Sequence, residues 1–206
     1  MAPSSALPFS AAAERNAPPI LAALATRLGV SADVFELASG TGQHAAHFAA
    51  AQPGWCWQPT EAQAAALPNI DARCAGLPQV KPALALDVMD APWPVAAAGF
   101  DAVYCANLLH ISPWATTAAL MQGASRCLRA GGLLAVYGPF VVTGQALAPS
   151  NVAFDADLRA RNPAWGLRAL HEVAQAALAQ ALVLDERLAL PANNLLLVFR
   201  RSGAIR

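Results

Sequence analysis

Three acids, Glu36, Glu61 and Asp87, each stand at or just beyond a short apolar run, and a loop of small residues, Ser39-Gly40-Thr41-Gly42, follows the first of them. Carboxylates accept hydrogen bonds from hydroxyl and ammonium groups, and glycine lets a ligand approach main-chain amides closely. Together they outline a cradle for a polar cofactor. His110, in 107-NLLHISPW-114, follows another apolar run and is the candidate general base, since a neutral imidazole takes up a proton near neutral pH. His44 and His47 are three apart and share a face on a helix. Two histidines without further ligands do not make a zinc site, so no metal is expected.

The remaining candidates face the ends of a ligand. Arg15, in the 14-ERN-16 turn read as preceding the first helix, offers a guanidinium to a cofactor carboxylate, and Asn16 beside it is a substrate-side candidate. His44 is positioned for the same carboxylate, whereas His47 reads as packing. The segment 149-PSNVAFDADLRARNPAWG-166 carries Asn151, Phe154 and Trp165. It reads either as a cap over a small-molecule pocket or as a solvated helix anchored by its Trp. Tyr137 ends a strand and faces either that pocket or the core.

Alternating elements must hold these groups. Pro18 and Pro19 precede Ile20, Leu21, Leu24 and Leu28, a helical face that ends at Gly29. Strands are expected at 33–38, 55–59, 83–88, 100–109 and from Gly131-Gly132 through LLAVYGPF, with helices near 43–51, 61–74 and 115–128. On this reading Glu61 lies past its strand. Such βαβ units form a largely parallel sheet covered on both faces. Segments 181–190 and 194–201 are joined only by 191-PAN-193, too short for a crossover, so they form an antiparallel hairpin.

Composition narrows the function. At 206 residues the chain fits one domain, 56% hydrophobic and 13% charged, with zero formal charge. Without a basic footprint, no nucleic-acid partner is expected. The N-terminal stretch lacks a basic region followed by an apolar one, and no apolar run is long enough to span a bilayer, so a cytoplasmic protein without a membrane partner is expected. Cys56, Cys74, Cys105 and Cys127 form no CxxC pair, and Cys56 and Cys105 read as buried thiols.

Gly40-Thr41-Gly42-Gln43-His44-Ala45 satisfies G-x-G-x-x-G/A, which admits a nicotinamide-dependent oxidoreductase. No lysine follows to make a P-loop. A helix before the first strand, an acid four residues ahead of Gly40 and a C-terminal hairpin favour S-adenosyl-L-methionine, whose ammonium and ribose hydroxyls suit the strand-end acids.

At these residues the chain resembles the class I methyltransferases over nearly its whole length. ELASGTG resembles their glycine-rich motif, with Ala38 at the first glycine position. The resemblance implies that Glu61 holds the ribose, that Asp87 meets the adenine amino group with the Val88 amide on a ring nitrogen, and that Asn107 faces the methionine end. FSAAAERNAPPIL, LLHISPW, APSNVAFDADLRARNPAWGLR and PANNLLLVFR also resemble the methyltransferase-like 26 family. The resemblance implies an α/β Rossmann-like three-layer sandwich with a mostly parallel seven-stranded sheet. It further implies one domain over 1–206, with 1–30 as a lid and 143–166 as an insertion shaping the substrate pocket. The expected activity is methyl transfer to O, N or S of a small-molecule acceptor by a monomer or homodimer. A non-catalytic ligand-binding module on the same fold is the other alternative.

Overall fold

The computed structural model describes residues 6–203, so the expected domain limits at 1 and 206 lie outside them. Helix α1 (Ala11–Ala25) begins where Ser10 caps it, its hydroxyl accepting from the Ala13 amide at 3.2 Å. The prolines expected to start this helix lie inside it. Each removes one backbone hydrogen bond, and burial of Ala17, Ile20 and Leu24 offsets that loss. Glu14, Arg15 and Asn16 are therefore helical residues rather than a preceding turn.

Strand β1 (Ala32–Leu37) leads through the glycine loop to α2 (Gln43–Ala51), then to β2 (Trp55–Glu61), α3 (Leu67–Arg73) and β3 (Leu84–Ala85). Glu61 is thus the last residue of its strand and not beyond it, because Pro59 is accommodated in the β1–β2 register opposite Glu36. Strand β3 is far shorter than expected. After the Leu86 amide bonds the Glu61 carbonyl, the chain turns, with Asp87 Oδ1 accepting from the Met89 amide at 2.9 Å.

Next come β4 (Phe100–Ala106), α4 (Ala115–Cys127), β5 (Leu128–Gly138), β6 (Phe140–Val141), α5 (Pro149–Arg161), β7 (Arg168–Ala169), α6 (Leu170–Leu178), β8 (Leu182–Leu190) and β9 (Asn194–Arg201). Strand β4 stops at Ala106 rather than 109, since Asn107 turns left-handed at φ 59° and Leu108–His110 form a 3₁₀ turn. β5 starts at Leu128, ahead of the glycine pair. The short parallel pair β6–β7 was not anticipated.

Seven strands form one sheet in the order β3-β2-β1-β4-β5-β9-β8, with β9 antiparallel to both neighbours. The mostly parallel sheet with a C-terminal antiparallel hairpin is the expected architecture. Successive residues of each strand enter opposite layers. Val34, Trp57 and Tyr104 pack in the cluster that holds Ile20 and Phe48, while Phe35, Val103 and Phe199 pack in the cluster that holds Leu120 and Val173. This fixes the strand ends, and hence the acids, along one edge.

Candidate functional site

The glycine loop is held by the end of the neighbouring strand. The Ser39 amide donates to the Thr60 carbonyl at 2.8 Å, and the Gly40 amide donates to Glu61 Oε2 at 2.9 Å. Ala38, in the first glycine position of the motif, takes φ 53° and carries the left-handed strain of a residue with a Cβ. Gly40 (φ 56°) has open space where a Cβ would stand, so a ligand can reach this turn. At Gly42 (φ 73°) a Cβ would come within 3.1 Å of the Ile70 Cα. Gly42→Ala is therefore expected to push the loop off α3 and destabilise the fold by about 1–3 kcal/mol, read by denaturant unfolding.

Glu36, Glu61 and Asp87 end or follow three adjacent strands, so all three stand at one sheet edge. They are not equally open. Glu36 is buried, accepts from Trp57 Nε1 at 2.9 Å, and burial pushes its carboxyl up to about 7. It supports the loop from behind. Glu61 is half-buried and Asp87 is exposed, so both keep carboxylate oxygen towards solvent. Val88 is buried behind Asp87, its carbonyl taken by Trp93 Nε1 at 3.1 Å.

Two residues that sequence reasoning missed clamp α1 over the loop. Gln43 accepts from the Ser10 amide at 2.6 Å and from the Thr41 hydroxyl at 2.9 Å, and its Nε2 donates to Glu14 Oε2 at 3.1 Å. Arg73 Nε donates to the Thr41 carbonyl at 2.7 Å. Only the place of Gln43 inside GTGQHA hinted at this.

Beyond the loop a cavity of about 700 Å³ opens between α1, the ends of β4 and β5, α5 and the β8–β9 turn. Arg15, Asn16, Asn107, Tyr137, Asn151 and Phe154 all line it. Asn151 is buried, its amide donating to the Asn193 carbonyl at 3.0 Å, which ties α5 to the hairpin turn. Trp165 is not part of the cavity wall; it lies under Arg161, whose guanidinium is 5.2 Å from the ring centre.

The histidines differ from expectation. His44 is buried with both nitrogens engaged: Tyr104 Oη lies 3.1 Å from Nδ1, and Asn16 Oδ1 lies 2.6 Å from Nε2. No ring atom is left for a cofactor carboxylate. His47 is exposed and packs edge-on against Phe48. His110 is fully buried, its ring 5.0 Å from that of Phe140, and neither nitrogen has a hydrogen-bond partner among the described residues. It does not line the cavity but lies behind Gly138, where an added Cβ would stand 2.2 Å from Nε2 and 3.2 Å from Asn107 Oδ1. Burial lowers its pKa to about 3, and the nearby Arg168 adds to the effect.

Residues 7–201 match the family model described as Protein of unknown function (DUF938). Among solved structures, the chain is similar to an O-methyltransferase family protein from Burkholderia thailandensis, with TM-score 0.74 and 20% identity over 92% of this chain and 57% of that one. It is also similar to human N-acetylserotonin methyltransferase in complex with S-adenosylmethionine, with TM-score 0.77 and 13% identity over 91% and 52%. For the mitomycin 7-O-methyltransferase MmcR the values are 0.78 and 16% over 93% and 54%. The chain spans about half the length of these structures, and at such identities the likeness is one of fold. Among the described residues no helix is long and apolar enough to cross a membrane.

Proposed function

The chain belongs to the DUF938 family, and from its site we propose that it is an S-adenosylmethionine-dependent methyltransferase acting on O, N or S of a small-molecule acceptor. The observation that carries this reading is the strand-end cradle: three adjacent parallel strands deliver Glu36, Glu61 and Asp87 to one edge, around a loop whose Gly40 is open to a ligand. The fold shared with methyltransferase structures supports it, as do the segments resembling the methyltransferase-like 26 family. We take residues 1–206 as one cytoplasmic domain, with residues 1–30 as the lid and 143–166 as the insertion over the pocket.

In this reading Glu61 accepts from the ribose hydroxyls while its bond to Gly40 keeps the loop shut beneath them. Asp87 accepts from the adenine amino group, and the Val88 amide donates to the ring. The loop Ser39-Gly40-Thr41-Gly42 bounds the methionine end, with Gly40 leaving room for its close approach, and Asn107 faces it. Bound there, S-adenosylmethionine supplies a methyl group on a cationic sulfur, open to in-line displacement. The residues then align the acceptor and exclude water rather than activate the methyl. Tyr137, Asn151 and Phe154 shape the acceptor's side. His110, expected from the sequence as the base, is fully buried outside the cavity wall and burial holds its ring neutral by opposing protonation, so no base is assigned to it.

Calorimetric titration with S-adenosylmethionine, NAD and NADP in parallel tests the reading. Selective stoichiometric binding of S-adenosylmethionine is expected, and a preference for a dinucleotide would sink it. Glu61→Ala is expected to weaken S-adenosylmethionine binding roughly tenfold to a hundredfold, the loss of charge-assisted bonds to two hydroxyls together with the Gly40 anchor. Unchanged affinity would remove Glu61 from the site. Binding without turnover across a broad acceptor panel would favour the non-catalytic module.

A further inference from the structure

A chain of hydrogen bonds runs from the core to the cavity wall. Tyr104 is fully buried, and its hydroxyl meets His44 Nδ1 at 3.1 Å. Its O–H has no other hydrogen-bond partner among the described residues, so it donates and Nδ1 accepts. A neutral His44 then carries its proton on Nε2, which faces the Asn16 carbonyl oxygen at 2.6 Å. With Oδ1 committed to the imidazole, the Asn16 amide has its N–H groups left to offer at the cavity wall that Asn16 lines. Tyr137 lines the same cavity, and its hydroxyl can donate as well as accept.

The direction of the chain matters more than its length. Each link passes a donor towards the pocket, which therefore receives the Asn16 N–H groups. Arg15 stands one residue from Asn16 on the same wall. The ion pairs among the described residues engage Arg27, Arg129, Arg159, Arg161 and Arg200, and Arg15 is exposed. No acid lines the cavity, whereas Phe154, Pro19, Pro139 and Pro191 give it apolar walls.

We propose that Tyr104, His44 and Asn16 form a donor relay which, with Arg15, selects a methyl acceptor that carries a carboxylate on an apolar body. The proposal rests on the methyltransferase reading and names the substrate class of its pocket. His44 and Tyr104 are positioning residues: they touch no ligand and act by fixing which face of the Asn16 amide the pocket receives. The methionine end of the cofactor also bears a carboxylate, so the same donors have two candidate occupants, which the experiment separates.

The protein saturated with S-adenosylhomocysteine is titrated with benzoate and with its neutral isostere benzamide, and both titrations are repeated without S-adenosylhomocysteine. Benzoate is expected to bind the saturated protein roughly tenfold more tightly than benzamide, the value of a charge-assisted pair of bonds. His44→Phe keeps the ring stacked on Phe48 but cuts the relay. It is expected to bring the benzoate-to-benzamide ratio close to one without changing S-adenosylhomocysteine affinity, with Tyr104→Phe intermediate. A purely structural role would lower thermal stability and leave that ratio untouched, which overturns the relay. Equal affinities for the two probes in the saturated wild-type protein overturn the proposal while leaving the cofactor reading intact. Benzoate binding only when S-adenosylhomocysteine is absent overturns it too, since the donors then serve the cofactor's carboxylate. Failure of S-adenosylhomocysteine to bind at all defeats the methyltransferase reading, and the acceptor assignment with it.

Discussion

Between pH 6.5 and pH 4.5 the protein is expected to lose stability steadily as acid is added, because two imidazoles are buried in the neutral form. Burial holds His44 at about 4 and His110 at about 3, against 6.5 for a solvated ring. The unfolded chain therefore takes up protons below pH 6.5 that the folded chain refuses, and acid favours unfolding. At about 1.4 kcal/mol per pH unit, each ring costs the fold about 3 kcal/mol by pH 4.5, and the two together approach the whole stability of an ordinary domain. Glu36 acts in the opposite sense. Its carboxyl is raised from 4.5 to about 7, so the folded state keeps a proton that the unfolded chain has released. Its contribution is full below pH 4.5 and is lost as pH rises towards 7. The net expectation is a slope of about one proton across this window in wild type, measured by denaturant unfolding at a series of pH values. Glu36→Gln should steepen it to about two protons, and His110→Phe should flatten it to about zero. A slope unaltered by His110→Phe would show that this ring titrates alike in both states.

Gly138→Ala is expected to cost both stability and catalysis. The new methyl carbon would stand 2.2 Å from His110 Nε2 and 2.7 Å from Cδ2, distances that no real Cβ tolerates. The ring has little room to retreat, with Phe140 against it and the whole side chain buried. Overpacking of this kind costs about 1–3 kcal/mol or more, and displacing Asn107, whose Oδ1 would lie 3.2 Å from the new carbon, costs turnover by roughly a hundredfold. Because two residues compete for one volume, the effects should not add. Gly138→Ala combined with His110→Ala should recover most of the stability lost in the glycine variant, and the turnover with it. Additive losses in unfolding free energy would mean that the methyl is accommodated by backbone movement and that the contact with His110 is not what excludes it.

The parts of the fold that were legible in the sequence are those written locally. Alternating apolar runs separated by Gly and Pro disclosed the βαβ units, and the three-residue link 191–193 forced the final hairpin. The errors share one cause. Proline reads as a boundary, the start of a helix at Pro18-Pro19 and the end of a strand at Pro59, yet α1 runs through the first pair and β2 continues to Glu61. In both places tertiary burial outweighs a missing amide, and burial leaves no mark on the local pattern. Asp87 shows the reverse: LALDV has a strand's composition, but the aspartate captures the Met89 amide and turns the chain. Within the site, the strand-end acids were visible because they follow a period set by the sheet. The Gln43 and Arg73 clamps and the pairing of His44 with Asn16 and Tyr104 were not, because contacts between side chains 28 or 60 residues apart carry no spacing signal.

The position of β9 has a consequence for how the chain is made. It is the last strand in chain order but sits inside the sheet, between β5 and β8. On the ribosome β5 is complete long before its second neighbour exists, and β8 has no partner until β9 emerges. For that interval the nascent chain carries the open edge of an almost wholly buried strand, Leu133–Gly138, of the kind that pairs with other chains. The β8–β9 hairpin thus covers the open edge of β5. A codon change that slows translation just before Asn194 would lengthen the exposure without altering a single residue of the finished protein.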